Sequence, residues 1–220
     1  MLEQLPYFDD RYRLIKTHLP YHMTPINPHA KYIYVARNPK DCCVSFYYHT
    51  QGFINHYNFG EGTFDAFLEL FMQGKVDFGD YFDNLLSWYA CKSDENVLFL
   101  TYEELKGSTR DCVLQIASFL GETYKSRLLA SNEALLNDVL EHSSFESMHK
   151  SQDRWSSDRP KEYTRFVRKG SIGDWKTHLT SAQSEGMNRR VILSRMSREQ
   201  LADIWGPEFE EVVLNKRVEL

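Results

Sequence analysis

The sequence predicts an α/β fold of three layers, in which helices flank a central parallel sheet. Short apolar runs rich in β-branched and aromatic residues, typical of buried strands, occur at 12–15, 32–36 and 96–101. Amphipathic segments of helical period lie between and after them. Lys16 and His18 follow the first run, and Arg37 follows the second. Because ligands of open α/β sheets bind beyond the carboxyl ends of the strands, we expect an anion site where these side chains meet.

A helix is predicted to begin directly after Arg37. Asn38 is a suitable N-cap, Pro39 suits the first helical position, and Asp41 lies in the first turn. Ser45 then lies about two turns into the helix, beside a strand-to-helix junction that can hold an anion. From spacing alone, an equally good interpretation is that Arg37 pairs with a surface carboxylate and Ser45 is only tolerated in the helix.

The middle of the chain continues the helical pattern. Helices are predicted over 63–72, with Thr63 as cap, over 79–91, and over 108–120, where Gly121 ends the segment. The aromatic residues of the first two helices are assigned to packing. Between the second and third, NVLFLT at 96–101 is the third predicted strand.

Composition indicates one ordinary globular domain over 1–220. The chain is 42% hydrophobic, which is enough for a sizeable core, and its net charge of −5 argues against nucleic acid or an anionic membrane as partner. Four cysteines without a CxxC pair indicate free thiols. With neither a signal peptide nor an apolar stretch of membrane-spanning length in the sequence, a cytoplasmic location is expected.

A metal site is not expected near His18. Pro20 and Pro25 interrupt any helix that would bring His18 and His22 onto one face, and His29 is too loosely placed to complete a ligand set. A lone histidine at a strand end is most often structural. Lys16, two residues earlier and turned the same way by strand alternation, favours a functional interpretation.

Five motifs carry a resemblance to a known family. They are KTHLP at 16–20, YVARNPKDCCVSFYYH at 34–49, LTYEEL at 100–105, HSSFESM at 142–148 and RKGSIGDWK at 168–176. In this order they resemble the cytosolic sulfotransferases, which transfer a sulfuryl group from 3'-phosphoadenosine 5'-phosphosulfate to a hydroxyl or amine. The resemblance implies a fold like that of P-loop NTPases, a small-molecule acceptor and no metal.

One part of the family pattern is not found before Lys16. The family has a strand, a phosphosulfate-binding loop of the type PKSGTTW and a helix there, whereas no Gly-rich loop precedes Lys16 in this sequence. We therefore expect an N-terminally incomplete sulfotransferase domain. This leaves an alternative open, namely a catalytically inactive or truncated family member that binds only the 3'-phosphoadenosine part of the nucleotide.

The resemblance also implies roles for residues at the reaction centre. His18 is the general base that takes the proton of the acceptor hydroxyl, and Lys16 offers positive charge towards the leaving or bridging oxygen. The aromatic residues after Ser45 are where acceptor contacts are expected, with plain core packing as the alternative for each; they are Phe46, Tyr47, Tyr48, His49, Phe53, His56, Tyr57 and Phe59.

The remaining matched residues are expected to bind the nucleotide. By resemblance, the 3'-phosphate meets Arg37, Ser45, Arg168 and Lys169, and Gly170 allows close approach of the backbone. The adenine lies near Tyr102, Ser143 and Phe145. Without the resemblance, Tyr102 is interpreted as a core residue whose hydroxyl contacts solvent, and Ser144 as a helix cap. Arg168 and Lys169 are then interpreted as a solvated pair of charges. Residues 176–185 approximate the family's dimer stretch, which makes a homodimer an expectation.

Overall fold

Two parallel strands pair in the computed structural model, which describes residues 13–154 and 159–206. Strand β1 is Tyr32–Ala36 and strand β2 is Val97–Thr101. Their register runs from the Tyr32–Val97 pair to the Ala36–Thr101 pair. Two of the three predicted strands are therefore confirmed, and their carboxyl ends lie side by side.

Ten α-helices accompany the sheet within the described ranges. They are α1 Pro39–Gly52, α2 Phe64–Met72, α3 Tyr81–Tyr89, α4 Tyr102–Gly107, α5 Thr109–Leu120, α6 Glu122–Leu129, α7 Ala134–His142, α8 Phe145–Lys150, α9 Ser181–Ile192 and α10 Arg198–Trp205. The helices predicted over 63–72 and 108–120 are present with nearly these bounds, and the helix predicted to begin after Asn38 is α1. The helix predicted over 79–91 is shorter, because Asp80 caps it by accepting from the backbone N–H groups of Phe82 and Asp83.

The predicted caps form hydrogen bonds of the expected kind. The Asn38 side chain accepts from the backbone of Lys40 at 3.0 Å, and Thr63 caps α2 in the same manner. Ser144 accepts from the backbone of Ser147 at 3.1 Å, so its role as a helix cap is confirmed.

The strand predicted at 12–15 is wrong. Tyr12 lies outside the described residues, and 13–20 has no regular secondary structure. Leu14 and Ile15 are 77% and 60% exposed, which is incompatible with a buried strand. A strand needs a partner for its backbone groups, and β1 and β2 pair only with each other among the described residues. The segment 13–20, which carries Lys16 and His18, instead precedes β1 without regular secondary structure, and we call it the lead-in.

The larger buried cluster lies on one face of the sheet. Ala36 joins a buried cluster with residues of α1, α2, α3, α9 and α10, including Cys43, Phe67, Leu85 and Met187. A second, smaller cluster joins α5, α6 and α7 through Ala117, Leu128 and Leu136. On the other face of β1, Ile33 and Val35 are 40% and 46% exposed.

All four cysteines are free thiols, and Cys43 and Cys112 are buried. Over 13–154 and 159–206, each helix falls short of the length and apolar character needed to cross a bilayer.

Candidate functional site

Arg37 and Tyr102 meet at the carboxyl ends of the two strands. They directly follow the paired residues Ala36 and Thr101, so the register places them side by side. The Arg37 guanidinium carbon lies 4.3 Å from the centre of the Tyr102 ring, and Nη2 donates to the carbonyl of Ser171 at 3.4 Å. Arg37 Nε is buried and has no hydrogen-bond partner among the described residues. This guanidinium therefore has unused donor capacity where the sheet predicts an anion.

Ser45 lies on α1, the helix that Arg37 precedes, and is half-buried. The first turn of α1 also holds the segment 168–176, which carries Arg168 and Lys169. Asp41 is 1% exposed and accepts from the backbone N–H of Gly173 at 2.6 Å and of Trp175 at 2.9 Å. A carboxylate with two backbone donors is a strong tether, so the segment is anchored beside the junction that carries Arg37.

Lys40 makes a second connection from the first turn of α1. Its side chain is buried, its ammonium donates to the Ser184 hydroxyl at 2.8 Å, and the same nitrogen lies 4.4 Å from the centre of the Trp175 ring. Burial lowers the pKa of Lys40 to about 8. Sequence reasoning missed both Lys40 and Asp41 as site residues, although they stand in the matched stretch between Arg37 and Ser45.

Arg168 and Lys169 share one buried carboxylate, that of Asp174. Lys169 Nζ lies 2.6 Å from Asp174 Oδ1, and Arg168 donates to the other oxygen. The Arg168 guanidinium also stacks 4.5 Å from the centre of the Tyr48 ring. Burial raises the pKa of Asp174, but the hydrogen bonds from Lys169 and Arg168 outweigh it and bring the pKa to about 2. The expectation that both cations meet a nucleotide phosphate stays a prediction, and Asp174 is the partner that sequence reasoning missed.

Phe145 and Gly170 are in contact, which joins two motifs that are distant in sequence. Gly170 has φ 61°, and a Cβ on it would lie 2.5 Å from Phe145 Cδ2. The Phe145 ring stacks on His149 with centroids 5.3 Å apart. Ser143, near Phe145, is exposed and its hydroxyl donates to the carbonyl of Val139 at 2.7 Å. The predicted contacts of Ser143 and Phe145 with adenine stay predictions.

Replacing Gly170 by alanine is expected to destabilise the chain and loosen the contact with Phe145. The left-handed backbone costs a non-glycine residue about 1 kcal/mol, and the clash adds to this cost. Chemical denaturation of Gly170→Ala should therefore show a loss of about 2 kcal/mol in the free energy of unfolding. Gly107→Ala is the matched control, because a Cβ at that position has no neighbour within 4 Å among residues 13–154 and 159–206. If the two variants were equally stable, the left-handed backbone of Gly170 and its contact with Phe145 would not contribute to stability as expected.

The Lys16–His18 lead-in is held by side chains of α3. Asn84 Nδ2 donates to the carbonyl of His18 at 3.0 Å, and the Trp88 indole donates to the carbonyl of Leu19 at 3.0 Å. Although His18 as a whole residue is exposed, its ring lies 4.4 Å from that of Phe78. Burial lowers the pKa of His18, the charge of Lys16 lowers it further, and that of Asp77 opposes both. The imidazole is therefore neutral at pH 7, as a proton acceptor must be.

A cavity of about 340 Å³ lies among the aromatic residues that follow Ser45. The Phe78 ring lies between those of His18 and Phe46, and Tyr57 contacts His49 at the cavity side. Three of the aromatic residues predicted to contact an acceptor line the cavity, namely His56, Tyr57 and Phe59.

The predicted dimer stretch 176–185 lies in the turn before α9 and in the first residues of that helix.

Comparison with known proteins identifies the family. Residues 8–200 match the family model described as the sulfotransferase domain. Sulfotransferase 1E1 of Cavia porcellus is 35% identical over 185 residues, which are 80% of this chain and 60% of that protein. The amine sulfotransferase of Oryctolagus cuniculus is 34% identical over 203 residues, which are 88% of this chain and 64% of that protein.

A solved structure agrees with the sequence relatives. Mouse sulfotransferase SULT7A1, crystallised in complex with PAP, superposes with a TM-score of 0.65 at 30% identity, over 83% of this chain and 62% of the mouse chain. The present chain thus spans about 60% of the length of the curated relatives it matches. Its predicted α/β fold with a parallel sheet is confirmed. The chain belongs to the sulfotransferase family.

Proposed function

We propose that this chain acts as a sulfotransferase, moving a sulfuryl group from 3'-phosphoadenosine 5'-phosphosulfate to a hydroxyl or amine of a small acceptor. The observation that carries the proposal is Arg37 at the carboxyl ends of β1 and β2, whose buried Nε has no hydrogen-bond partner in the part of the chain that the structure describes. The family relationship supplies the reaction class. One solved relative is complexed with PAP, and another curated relative is an amine sulfotransferase.

His18 and Lys16 divide the chemistry between them. The neutral imidazole takes the proton of the acceptor hydroxyl as its oxygen attacks sulfur. The bond between sulfur and the bridging phosphate oxygen breaks, and the electron pair remains on the departing phosphate. Lys16 stabilises the negative charge on that oxygen. The products are the sulfated acceptor, 3'-phosphoadenosine 5'-phosphate and the proton held by His18, which passes to solvent.

The nucleotide lies across the strand-to-helix junction at Arg37 and the segment 168–176. Arg37 and the Ser45 hydroxyl bind the 3'-phosphate, the group that distinguishes this donor from common adenine nucleotides. Arg168 and Lys169 contribute from the segment that Asp41 tethers, and Gly170 leaves room for the phosphate beside its backbone. Tyr102, Ser143 and Phe145 surround the adenine, where an aromatic face can stack on the base.

Arg37→Ala is expected to raise the Kd for 3'-phosphoadenosine 5'-phosphate about 10–100-fold, because it removes charge-assisted hydrogen bonds worth about 1.5–3 kcal/mol each. Adenosine 5'-phosphate lacks the 3'-phosphate, so its weaker binding should change little. Titration calorimetry with both nucleotides measures the two affinities. Arg189→Ala, at an exposed position on α9, is the matched control.

An equal loss for both nucleotides would remove Arg37 from the 3'-phosphate site. Tight binding of 3'-phosphoadenosine 5'-phosphate without any sulfuryl transfer would instead establish the binding-only alternative for this chain.

A further inference from the structure

Val167, the residue before Arg168 and Lys169, has both of its backbone polar groups bound by side chains from a separate part of the chain. The N–H of Val167 donates to Gln152 Oε1 at 3.3 Å. The carbonyl of Val167 lies 2.6 Å from His149 Nδ1. A neighbouring strand would satisfy these two groups in a sheet, whereas here two side chains do so outside β1 and β2.

The tautomer of His149 follows from the contact of its second nitrogen. Arg165 Nη1 lies 3.3 Å from His149 Nε2. Because a guanidinium only donates hydrogen bonds, Nε2 is the acceptor, and the proton of the neutral imidazole is on Nδ1. His149 therefore donates to the carbonyl of Val167, and both of its ring nitrogens are bound.

Gln152 connects the two groups that hold Val167. It is 5% exposed, and its Nε2 donates to the carbonyl of His149 at 3.1 Å while its Oε1 accepts from Val167. A buried amide whose donor and acceptor are both bound fixes the geometry of its partners. The three residues therefore form one connected network.

The ring of His149 has a second contact, with Phe145. The two residues are one helical turn apart on α8, and their rings stack with centroids 5.3 Å apart and an angle of 27° between planes. Phe145 in turn packs against Gly170, which directly follows Arg168 and Lys169. His149 thus links the ring assigned to the adenine with the backbone that leads to the cations assigned to the 3'-phosphate.

We infer that His149 is a positioning residue for the nucleotide. Its ring supports the face of Phe145 opposite the adenine, and its Nδ1–H holds the backbone that leads to Arg168 and Lys169. The inference rests on the proposed function, because Phe145 and the two cations are assigned to the nucleotide there. The two tasks belong to different parts of one side chain, so substitution can separate them.

Two variants of His149 each keep one task and remove the other. His149→Phe keeps a ring against Phe145 and removes the donor to Val167. His149→Asn keeps an N–H donor near the position of Nδ1 and removes the ring. Titration calorimetry on the full chain compares 3'-phosphoadenosine 5'-phosphate with adenosine 5'-phosphate, which has the adenine and lacks the 3'-phosphate.

We expect His149→Phe to raise the Kd for 3'-phosphoadenosine 5'-phosphate about fivefold to tenfold and to keep that for adenosine 5'-phosphate within about twofold. His149→Asn should raise both Kd values by a common factor of about threefold to tenfold, because both ligands carry the adenine. His142→Phe and His142→Asn are the matched controls and should change neither affinity. His142 is exposed, and its Nδ1 lies 2.7 Å from the carbonyl of Asp138.

Gln152→Met tests the same network without altering the imidazole. It removes the acceptor for the N–H of Val167 with a side chain of similar length, so it should reproduce the selective loss of affinity for 3'-phosphoadenosine 5'-phosphate. This variant also decides the question if His149→Phe does not fold.

Unchanged affinities in both His149 variants, or an equal loss for the two nucleotides in His149→Phe and Gln152→Met, would overturn the inference. The wild-type titration is read separately. Failure of the wild type to bind 3'-phosphoadenosine 5'-phosphate would refute the proposed function and with it the inference. Normal binding by the wild type without the expected pattern among the variants would refute only the inference.

Discussion

His18→Ala is expected to lower the rate of sulfuryl transfer by about 10²–10⁴-fold, the usual contribution of a positioned general base. Affinity for 3'-phosphoadenosine 5'-phosphate should be nearly unchanged, because His18 acts on the acceptor and Arg37 holds the nucleotide. A filter assay of radiolabelled sulfate transfer gives the rate, and calorimetry gives the affinity. His22→Ala is the matched control, since this histidine is exposed in the turn that follows the lead-in.

The pH profile distinguishes a base from a residue that only supports the lead-in. The pKa of His18 is lowered from its ordinary 6.5. We therefore expect the rate of sulfuryl transfer to fall only below pH 6.5, where the imidazole becomes protonated. The acidic limb should therefore disappear in His18→Ala. A collapse of nucleotide affinity together with the rate would show that His18 is structural.

Asp174→Ala is expected to reduce the free energy of unfolding by about 3–5 kcal/mol, because removal of one partner leaves a buried cation uncompensated. The Arg168 side chain is only 15% exposed, and the Asp174 side chain 4%. Urea denaturation at pH 7 measures the change. Asp203→Ala is the control, since its pair with Lys92 is 50% and 33% exposed and should contribute less than about 1 kcal/mol.

The Asp174 contribution should also depend on pH in a defined direction. A carboxyl group whose folded pKa is depressed stabilises the fold above its ordinary pKa of 3.8, and this stabilisation is lost as pH falls through about 2. The difference between the wild type and Asp174→Ala should thus shrink below pH 4. A difference that stays constant down to pH 2 would mean that Asp174 acts through packing and not through charge.

Local sequence signals predicted the part of the fold that local physics determines. The β1 and β2 runs, the Asn38 cap and the helix after it depend on residue types within a few positions of one another. The topological rule was applied to Lys16, His18 and Arg37, whereas the structure places Tyr102 beside Arg37, because the ends of adjacent parallel strands share one edge of the sheet.

What could not be predicted depends on partners distant in sequence. The run at 12–15 has the same composition as a true strand, but a strand exists only where a neighbour accepts its hydrogen bonds. In the same way, the pattern RKG shows two cations and does not show that Asp174 binds both. Asp41 looks like an ordinary residue of a helical first turn. Its hydrogen bonds to Gly173 and Trp175 join positions 132 and 134 residues apart, so they form only when the chain is folded.

The proposed reaction is tested most directly by the transfer of radiolabelled sulfate from 3'-phosphoadenosine 5'-phosphosulfate to a phenol by the 220-residue chain itself. We expect a labelled sulfated phenol that accumulates with time, in an amount proportional to the concentration of the chain, and that is lost in His18→Ala. Binding of 3'-phosphoadenosine 5'-phosphate at the Arg37 site with no labelled product would contradict it, and would leave this chain as a nucleotide-binding member of the sulfotransferase family.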